Sequence, residues 1–333
     1  MHLIVVTFLL ASGIVGAAAL ISTFDGPGAA NTTAVARNQA PVGSGRTASG
    51  PVHSLASAAS GGFATSWLSA HPDPGLDIRG QAGILVDIGS RQILWEREPH
   101  TPRAPASLAK LVTAMVVADL AALDRDVTVT AETDMNAAKQ VEPASTVMGL
   151  SAGEVLTVRE LMYGLFLRSG NDAAETLGGG IVSRDRFIRL MNQKAADLQM
   201  KDSHFTTPVG LDDPAMKTTP YDLALAAYTI ATRYPDLLAI SGTASITIPQ
   251  SPTHKEFALV NFNRMVIPGN QYTYEGATGM KTAFTDDAGA CMVATAARGG
   301  RRLVAVVMHT ENFFADATTL FDYGFSKPAR QPV

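Results

Sequence analysis

Residues 289–309 read GACMVATAARGGRRLVAVVMH, two β-rich runs on either side of Gly299 and Gly300. Two apolar runs joined by a glycine-containing turn are the sequence pattern of a β-hairpin. A similar pattern occurs earlier, where a Gly-Ser-Arg turn joins residues 82–88 to residues 92–97. The sequence therefore predicts strand pairs near both ends of the folded part of the chain.

Between these hairpins the sequence has the pattern of helices. One helix is predicted from near Ser107 to about Leu123, and Thr157 with Glu160 has the capping-box spacing at the start of another. That capped helix covers 161–167, and the other predicted helices lie at 171–178 and 184–198, from Thr219-Pro220 onward, and at 315–323. This order predicts an α+β fold, an antiparallel β-sheet flanked by helices with an inserted α-rich lobe.

Composition excludes several classes of protein. The chain has 333 residues, 46% of them hydrophobic and 17% charged, so it can bury a full core. A net charge of -4 provides no electrostatic basis for nucleic-acid binding. The single cysteine, Cys291, excludes an internal disulfide, and the seven histidines are scattered without an HExxH pair. We therefore expect no nucleic-acid partner, no metal site and no cofactor.

The N-terminal part has two segments that differ from the rest. Residues 3–22 are uncharged, long enough to span a bilayer, and followed by no folded pattern. We predict a signal peptide or a membrane anchor at 1–24, and with it an extracytoplasmic location. Residues 25–62 are rich in Gly, Ala, Ser and Pro, which predicts a flexible linker before a folded domain at 63–333.

One motif is interpreted as a turn. The segment GLSAG at 149–153 matches the GxSxG pattern of a nucleophile elbow. That elbow needs a buried strand before it and a helix directly after it. Here the preceding residues are too polar for a central strand, and the next helix begins only after the cap at Thr157.

Ser107 and Lys110, in PASLAKLVT at 105–113, are three residues apart and share one face of the predicted helix. A serine in the first turn lies at the positive end of the helix dipole, where developing negative charge is stabilised. A lysine whose pKa is lowered by burial and by a second cation can take the proton of that serine. The same pair also fits an N-terminal cap and a surface lysine, so alone it leaves both interpretations open.

Two later segments favour the catalytic interpretation. Ser169 and Asn171 lie between two predicted helices and present a hydroxyl and an amide together, which suits a proton relay and a ligand for a substrate amide. Lys281 precedes a late strand whose edge suits pairing with an extended peptide. A rival lysine, Lys217, leads into a helix and is better explained by its cap. Each segment alone also has a structural explanation, as a turn or a solvated cation.

The order of S-x-x-K, S-x-N and K-T-x before a late strand resembles the serine penicillin-recognising enzymes. The surrounding sequence is similar to one branch of them, the D-alanyl-D-alanine carboxypeptidases of the low-molecular-mass penicillin-binding proteins. The similar segments are PASLAKLVTA, GLSAGEVLTVRELMYGLFLRSGNDAAETL, MKDSHFTTPVGLDDP, GMKTAFTDDAGACMVATA and LFDYGF. They extend from about Ala82 to Phe325 and imply a β-lactamase/transpeptidase-like fold.

The resemblance also implies a role for each motif residue. Ser107 attacks the carbonyl between two terminal D-alanines, and Lys110 takes its proton. Ser169 relays a proton to the departing D-alanine, and Asn171 orients Lys110 and the substrate amide. The implied substrate-binding residues are Lys281 as a positive charge, Thr282 and Thr285 for the terminal carboxylate, and Phe284, whose N–H forms the oxyanion hole with that of Ser107.

The chain departs from the family pattern at two places. The third motif is normally Lys-Thr-Gly, but Ala283 replaces the glycine, and a methyl group there crowds the approach of a substrate. The family also often carries an arginine near the final helix that helps to hold the substrate carboxylate. Phe313 and Phe314 occupy that region here, so we expect a weaker anchor for a free carboxylate.

These residues predict an exported serine-type D-Ala-D-Ala carboxypeptidase that acts on peptidoglycan stem peptides and is acylated by β-lactams. A DD-endopeptidase or a weak β-lactamase is the alternative among enzymes, although no E-x-x-L-N segment of class A β-lactamases follows Asn171. From another class, the two departures fit a catalytically feeble homologue that binds penicillin and stem peptides. We expect no C-terminal β-domain after Phe325, so that any membrane attachment comes from residues 3–22.

Overall fold

The computed structural model describes residues 62–71, 74–134 and 145–328. Its strands are β1 (Ala82–Asp87), β2 (Gln92–Arg97), β3 (Asp126–Thr128), β4 (Val155–Thr157), β5 (Ser245–Ile248), β6 (Phe257–Val260), β7 (Ala277–Thr285), β8 (Gly289–Arg298) and β9 (Arg301–Thr310). Its helices are α1 (Ser66–Ala70), α2 (Lys110–Leu120), α3 (Val158–Leu167), α4 (Asn171–Ile181), α5 (Arg184–Asp197), α6 (Pro220–Arg233), α7 (Pro235–Ser241) and α8 (Phe313–Ser326), with 3-10 helices at Ala106–Ala109 and Arg264–Val266.

Five strands form an antiparallel sheet in the order β2-β1-β9-β8-β7. Both predicted hairpins are present, as β1 with β2 and β8 with β9. Gly299 and Gly300 form the second turn at φ values of 57° and 78°, a region that glycine enters without steric cost. The hairpins join through β1 and β9, where Ala82 lies opposite Met308. Strand β7 therefore lies at one edge of the sheet, paired only with β8 among its strands.

Both faces of the sheet are covered by helices. Ile84 and Val86 of β1 point into a large apolar core shared with the helical lobe. Leu85, between them, points into a second core on the opposite face, which it shares with Leu320 and Phe321 of α8. Because successive side chains of a strand alternate between faces, β1 is buried along its whole length. The predicted α+β architecture with an inserted helical lobe is confirmed.

Local sequence signals account for the helix starts in the lobe. At the start of α3, the Oγ1 atom of Thr157 accepts a hydrogen bond from the N–H of Glu160 at 3.2 Å. In return, the carboxylate of Glu160 accepts from the N–H of Thr157 at 2.8 Å. At the start of α6, Thr219 accepts from the N–H of Asp222 at 3.1 Å. Both caps satisfy backbone donors that a helix N-terminus leaves unpaired, as the sequence predicts.

Some predicted boundaries were wrong. The helix predicted from near Ser107 to about Leu123 is a 3-10 turn at Ala106–Ala109 followed by α2, which ends at Leu120 because Ala121 is extended. The final helix, predicted at 315–323, covers Phe313–Ser326 because the side chain of Asn312 caps it. Sequence patterns also missed the ladders β3-β4 and β5-β6, whose strands of three or four residues are too short to show alternation.

Within the described ranges, no helix combines the length and the hydropathy that a bilayer span needs. The apolar segment 3–22 and the predicted linker 25–62 lie outside the described residues.

Candidate active site

Ser107 lies in a 3-10 turn just before α2 rather than in the first turn of an α-helix. Ala106, directly before it, has a φ of 47°, an uncommon conformation for a residue with a side chain. Gly210 packs against this turn so closely that a Cβ atom there would overlap the carbonyl oxygen of Ala106. The chain around Gly210 therefore holds the serine turn from outside α2.

Lys110, the first residue of α2, lies at the centre of a hydrogen-bonded network. Its Nζ donates to the Oγ of Ser107 at 2.9 Å, to the Oδ1 of Asn171 at 2.8 Å and to the carbonyl oxygen of Val209 at 2.9 Å. These acceptors match the three protons of an ammonium group. After loss of one proton, the amine can accept the proton of the serine hydroxyl at the same short distance.

The environment of Lys110 favours that neutral amine. The side chain is completely buried, and burial is the main reason why its pKa lies well below the usual value for lysine. The nearby positive charge of Lys281 lowers the pKa further, whereas Asp172 and Glu175 act in the opposite direction. Ser107 therefore has a potential base beside it.

The serine and asparagine of the second motif lie at the junction of α3 and α4. Asn171 begins α4, and its Nδ2 donates to the Oγ of Ser145 at 2.7 Å. Ser169 has a φ of 56°, and its carbonyl oxygen accepts from the Oγ1 of Thr146 at 2.9 Å. Ser169 and Asn171 line the same cleft as Ser107. The two motifs are thus brought together, although they are far apart in sequence.

Asp172, next to Asn171, holds a loop that the sequence analysis did not assign to the site. Its completely buried carboxylate accepts from the N–H groups of Met148, Gly149 and Leu150 at 2.8, 2.8 and 2.9 Å. The same loop carries Ser145 and Thr146. An acidic residue in the first turn of a helix was the available signal, but its partners could not be read from spacing.

The GxSxG segment at 149–153 has no strand directly before it and no helix directly after it. Ser151 is fixed through its hydroxyl, which accepts from the Nζ of Lys255 at 2.9 Å, and it does not line the cleft. The interpretation of this segment as a turn is confirmed.

The third motif lies on the edge strand β7, which begins at Ala277 rather than at Lys281. Lys281 points into the protein, where its Nζ donates to the carbonyl oxygen of Thr282 at 2.6 Å. Burial lowers the pKa of Lys281 to about 7. The following residues, from Thr282 to Thr285, line the cleft, and Phe284 is 65% exposed.

Residues of all three motifs line one open cleft of about 580 Å³. Its lining residues are Ser107, Ser145, Thr146, Ser169, Asn171, Gly210, Leu211, Asp212, Phe262, Arg264, Tyr272, Thr282, Ala283, Phe284, Thr285, Asp286, Phe313 and Phe314. Within the described ranges, no group of three or more His, Cys, Asp or Glu side chains is placed to hold a metal ion. The arrangement offers a hydroxyl nucleophile, an amine base and a strand edge within one cleft.

The model of the D-alanyl-D-alanine carboxypeptidase family matches residues 68–312. The chain belongs to the D-alanyl-D-alanine carboxypeptidase family. This membership confirms the predicted resemblance and the predicted enzyme class, a serine-type carboxypeptidase.

Relatives in this family show how far the similarity extends. The D-alanyl-D-alanine carboxypeptidase DacB2 of Mycobacterium tuberculosis is 34% identical over 254 residues, which cover 74% of this chain and 82% of the relative. DacF of Bacillus subtilis is 28% identical over 76% of this chain, and the match spans only 64% of its own length. The crystal structure of the Streptomyces K15 DD-transpeptidase has a TM-score of 0.68 and 28% identity, covering 75% of this chain and 98% of that one.

Both departures from the family pattern occur at the cleft. Ala283 lines it from β7, and Phe313 and Phe314 line it from the start of α8. Tyr272 stacks on Phe314 with a centroid distance of 4.5 Å, and Phe313 meets Phe314 edge to face at 4.6 Å. The region where an arginine was expected is therefore an aromatic wall.

Proposed function

We propose that this protein is an exported serine-type carboxypeptidase that removes the terminal D-alanine from peptidoglycan stem peptides through an acyl-enzyme on Ser107. The supporting observation is that the Oγ of Ser107 lies 2.9 Å from the Nζ of a completely buried lysine, at an open cleft. A hydroxyl next to an amine with a lowered pKa is the arrangement that nucleophilic catalysis requires.

Acylation begins when neutral Lys110 takes the proton of the Ser107 hydroxyl. The Oγ then bonds to the carbonyl carbon of the penultimate D-alanine, and the carbonyl oxygen becomes an oxyanion. The N–H groups of Ser107 and Phe284 stabilise that charge, and one such donor contributes a few kcal/mol, about 3, in related chemistry. Asn171 keeps the Nζ of Lys110 in position through its 2.8 Å hydrogen bond.

Collapse of the tetrahedral intermediate breaks the bond to the terminal D-alanine. The departing amine receives the proton that Lys110 took, relayed through the hydroxyl of Ser169, which lines the cleft. Water then attacks the ester with the same amine as base and releases the shortened peptide. Free Ser107 and neutral Lys110 are restored, so the cycle is balanced in protons.

The edge of β7 binds the peptide in extended form. An edge strand has backbone N–H and C=O groups that can pair with an added strand. Thr282 and Thr285 hold the terminal carboxylate, and buried Lys281 adds positive charge in its protonated form. β-Lactams acylate the same serine because they resemble the dipeptide.

A penicillin-labelling experiment tests the nucleophile. Wild-type protein incubated with a fluorescent penicillin should become covalently labelled, and Ser107→Ala should not. Ser151→Ala is the matched control, because Ser151 lies outside the cleft and should leave labelling unchanged. Label retained by Ser107→Ala, or lost from Ser151→Ala alone, would show that the nucleophile is another residue.

Release of D-alanine from a diacylated tripeptide ending in D-Ala-D-Ala tests the reaction. The second candidate, a homologue that binds stem peptides with little turnover, is favoured by Ala283 and by the aromatic wall. Labelling by penicillin together with no D-alanine release would favour that candidate. Export rests on residues 3–22 alone and is tested by locating the full chain in cell fractions.

A further inference from the structure

The cleft is lined by more acidic than basic side chains. Arg264 is the only cation among its described lining residues, whereas Asp212 and Asp286 are acidic. Lys110 and Lys281 lie behind the wall and are buried. Burial also lowers the pKa of Lys281 to about 7, so part of its charge is absent at neutral pH. A carboxylate ligand in this cleft therefore meets one permanent positive charge at the surface, that of Arg264.

Arg264 begins a short 3-10 helix that is fixed by its neighbour. The Oδ1 of Asn263 accepts from the N–H of Met265 at 3.1 Å and so caps the turn. The Arg264 side chain is exposed, and its guanidinium lies 5.9 Å from the ring centroid of Tyr272. Tyr272 in turn stacks on Phe314 of α8. The aromatic wall thus positions the guanidinium through a cation–π contact and leaves its N–H donors open.

Among the described residues, no Asp or Glu side chain forms an ion pair with Arg264. An arginine remains charged at any physiological pH, and its planar N–H groups match both oxygens of a carboxylate. An exposed but unpaired arginine on a substrate cleft has the chemistry of an anion receptor.

We propose that Arg264 binds the terminal carboxylate of the substrate from the aromatic wall formed by Tyr272 and Phe314. The proposal rests on the proposed function, which supplies a substrate with that carboxylate. Arg264 comes from the segment between β6 and β7, whereas the family arginine was expected near α8. The cleft of this chain thus carries an arginine, at a different place along the chain from the one that the family resemblance implied.

Comparison of carboxylate and ester ligands tests this assignment. We expect Arg264→Gln to acylate with benzylpenicillin about 10- to 100-fold more slowly, the usual range for loss of a charged hydrogen bond. Acylation by the methyl ester of benzylpenicillin should change little, because the ester has no negative charge. Arg298→Gln is the matched control: Arg298 lies 5.1 Å from the ring of Tyr274, outside the cleft, and should leave both rates unchanged.

A rescue variant sharpens the test. Phe313→Arg in the Arg264→Gln background places a guanidinium on α8, next to the same wall, and should restore part of the preference for the free acid. Arg264→Lys should retain an intermediate preference, since a lysine keeps the charge without the planar fork. Thermal unfolding of each variant verifies folding. Equal loss with acid and ester, or no loss with either, would overturn the assignment.

Failure of the proposed function is distinguishable from failure of this assignment. Equilibrium binding of the diacylated tripeptide to Ser107→Ala, with and without Arg264→Gln, needs no chemistry. We expect the second substitution to weaken binding of the free acid and to leave binding of the C-terminal amide unchanged. Equal affinity of both proteins for the acid, or no binding at all, refutes the assignment. A wild type that binds the acid through Arg264 but releases no D-alanine refutes only the carboxypeptidase activity.

Discussion

The cleft has two walls that are built in different ways. The helical wall carries Ser107 and Asn171, which accept hydrogen bonds from the Nζ of buried Lys110 behind it, at 2.9 and 2.8 Å. The strand wall presents the edge of β7, the exposed ring of Phe284 and an aromatic group at the start of α8. Mutually hydrogen-bonded buried groups resist movement, whereas an exposed strand edge accommodates a ligand. Under the proposed function, the helical wall carries out the reaction and the strand wall recognises the substrate.

The largest expected effect tests the chemical role of the helical wall. Lys110→Gln keeps a polar side chain beside Asn171 but removes the base, so acylation by penicillin should slow by about 100- to 10,000-fold. Stopped-flow or gel-based labelling measures the rate. Lys217→Gln, at an exposed lysine that also precedes a threonine, should acylate like wild type. Unchanged acylation in Lys110→Gln would remove the distinction between the walls.

The second effect concerns the rigidity of the helical wall. Asp172→Asn replaces an acceptor of three backbone N–H groups by a side chain that presents an NH2 group to the same loop. We expect the free energy of unfolding to fall by about 3 kcal/mol, because buried donors lose a charged acceptor. Urea denaturation measures it. The control is Asp185→Asn, in the exposed first turn of α5, and a similar loss in both variants would contradict a special role for Asp172.

The third prediction concerns Lys281, behind the strand wall. The pH dependence of the free energy of unfolding tests whether burial lowers the pKa of this lysine. An unfolded lysine keeps its proton to about pH 10.4, whereas folded Lys281 loses it near pH 7. Between these values the unfolded state binds more protons, so stability increases with pH. From pH 7 to 9 the wild type should gain about 2 kcal/mol relative to Lys281→Met, in which this titration is absent.

Denaturation at several pH values measures this difference. Lys110 also titrates, and loss of the Lys281 charge raises the pKa of Lys110. The comparison is therefore repeated in the Lys110→Gln background, where only Lys281 of these two lysines titrates. Parallel pH profiles for the two proteins would show that Lys281 keeps an ordinary pKa.

The smallest effect tests crowding at the strand wall. Ala283→Gly removes a methyl group from the cleft lining, and we expect kcat/KM for D-alanine release to rise by up to about tenfold, equivalent to roughly 1.4 kcal/mol of relieved crowding. Ala294→Gly on β8 carries the same cost of glycine in a strand but lies outside the cleft, and should not accelerate the reaction. A rate unchanged by Ala283→Gly would show that this wall does not limit turnover.

Sequence patterns predicted the helices and strands that are specified by residues close together in the chain. The two hairpins follow from apolar runs around a turn, and the starts of α3 and α6 follow from caps within four residues of the helix. The order of the three motifs was sufficient to predict the family, because each motif is a short contiguous segment.

The same patterns missed features that depend on distant contacts. The turn that holds Ser107 is shaped by Gly210, about a hundred positions later, and the loop with Ser145 is held by Asp172. The sequence analysis did not predict a role for Arg264, because this residue lies outside the three motifs. Its place at the cleft results from packing against Tyr272 and Phe314.

By itself, the amino-acid sequence determined the class of fold, since the periodicity of helices and strands is set by backbone geometry. The family and the candidate nucleophile and base followed from the resemblance of its ordered motifs to a known family. Only the tertiary structure decided which charges meet. In the folded chain, Lys110 is buried beside Ser107 and Asn171, Lys281 is buried behind the edge of β7, and Arg264 is exposed at the cleft. Burial and through-space distance control pKa values and ligand recognition, and neither is encoded in the spacing of residues along the chain.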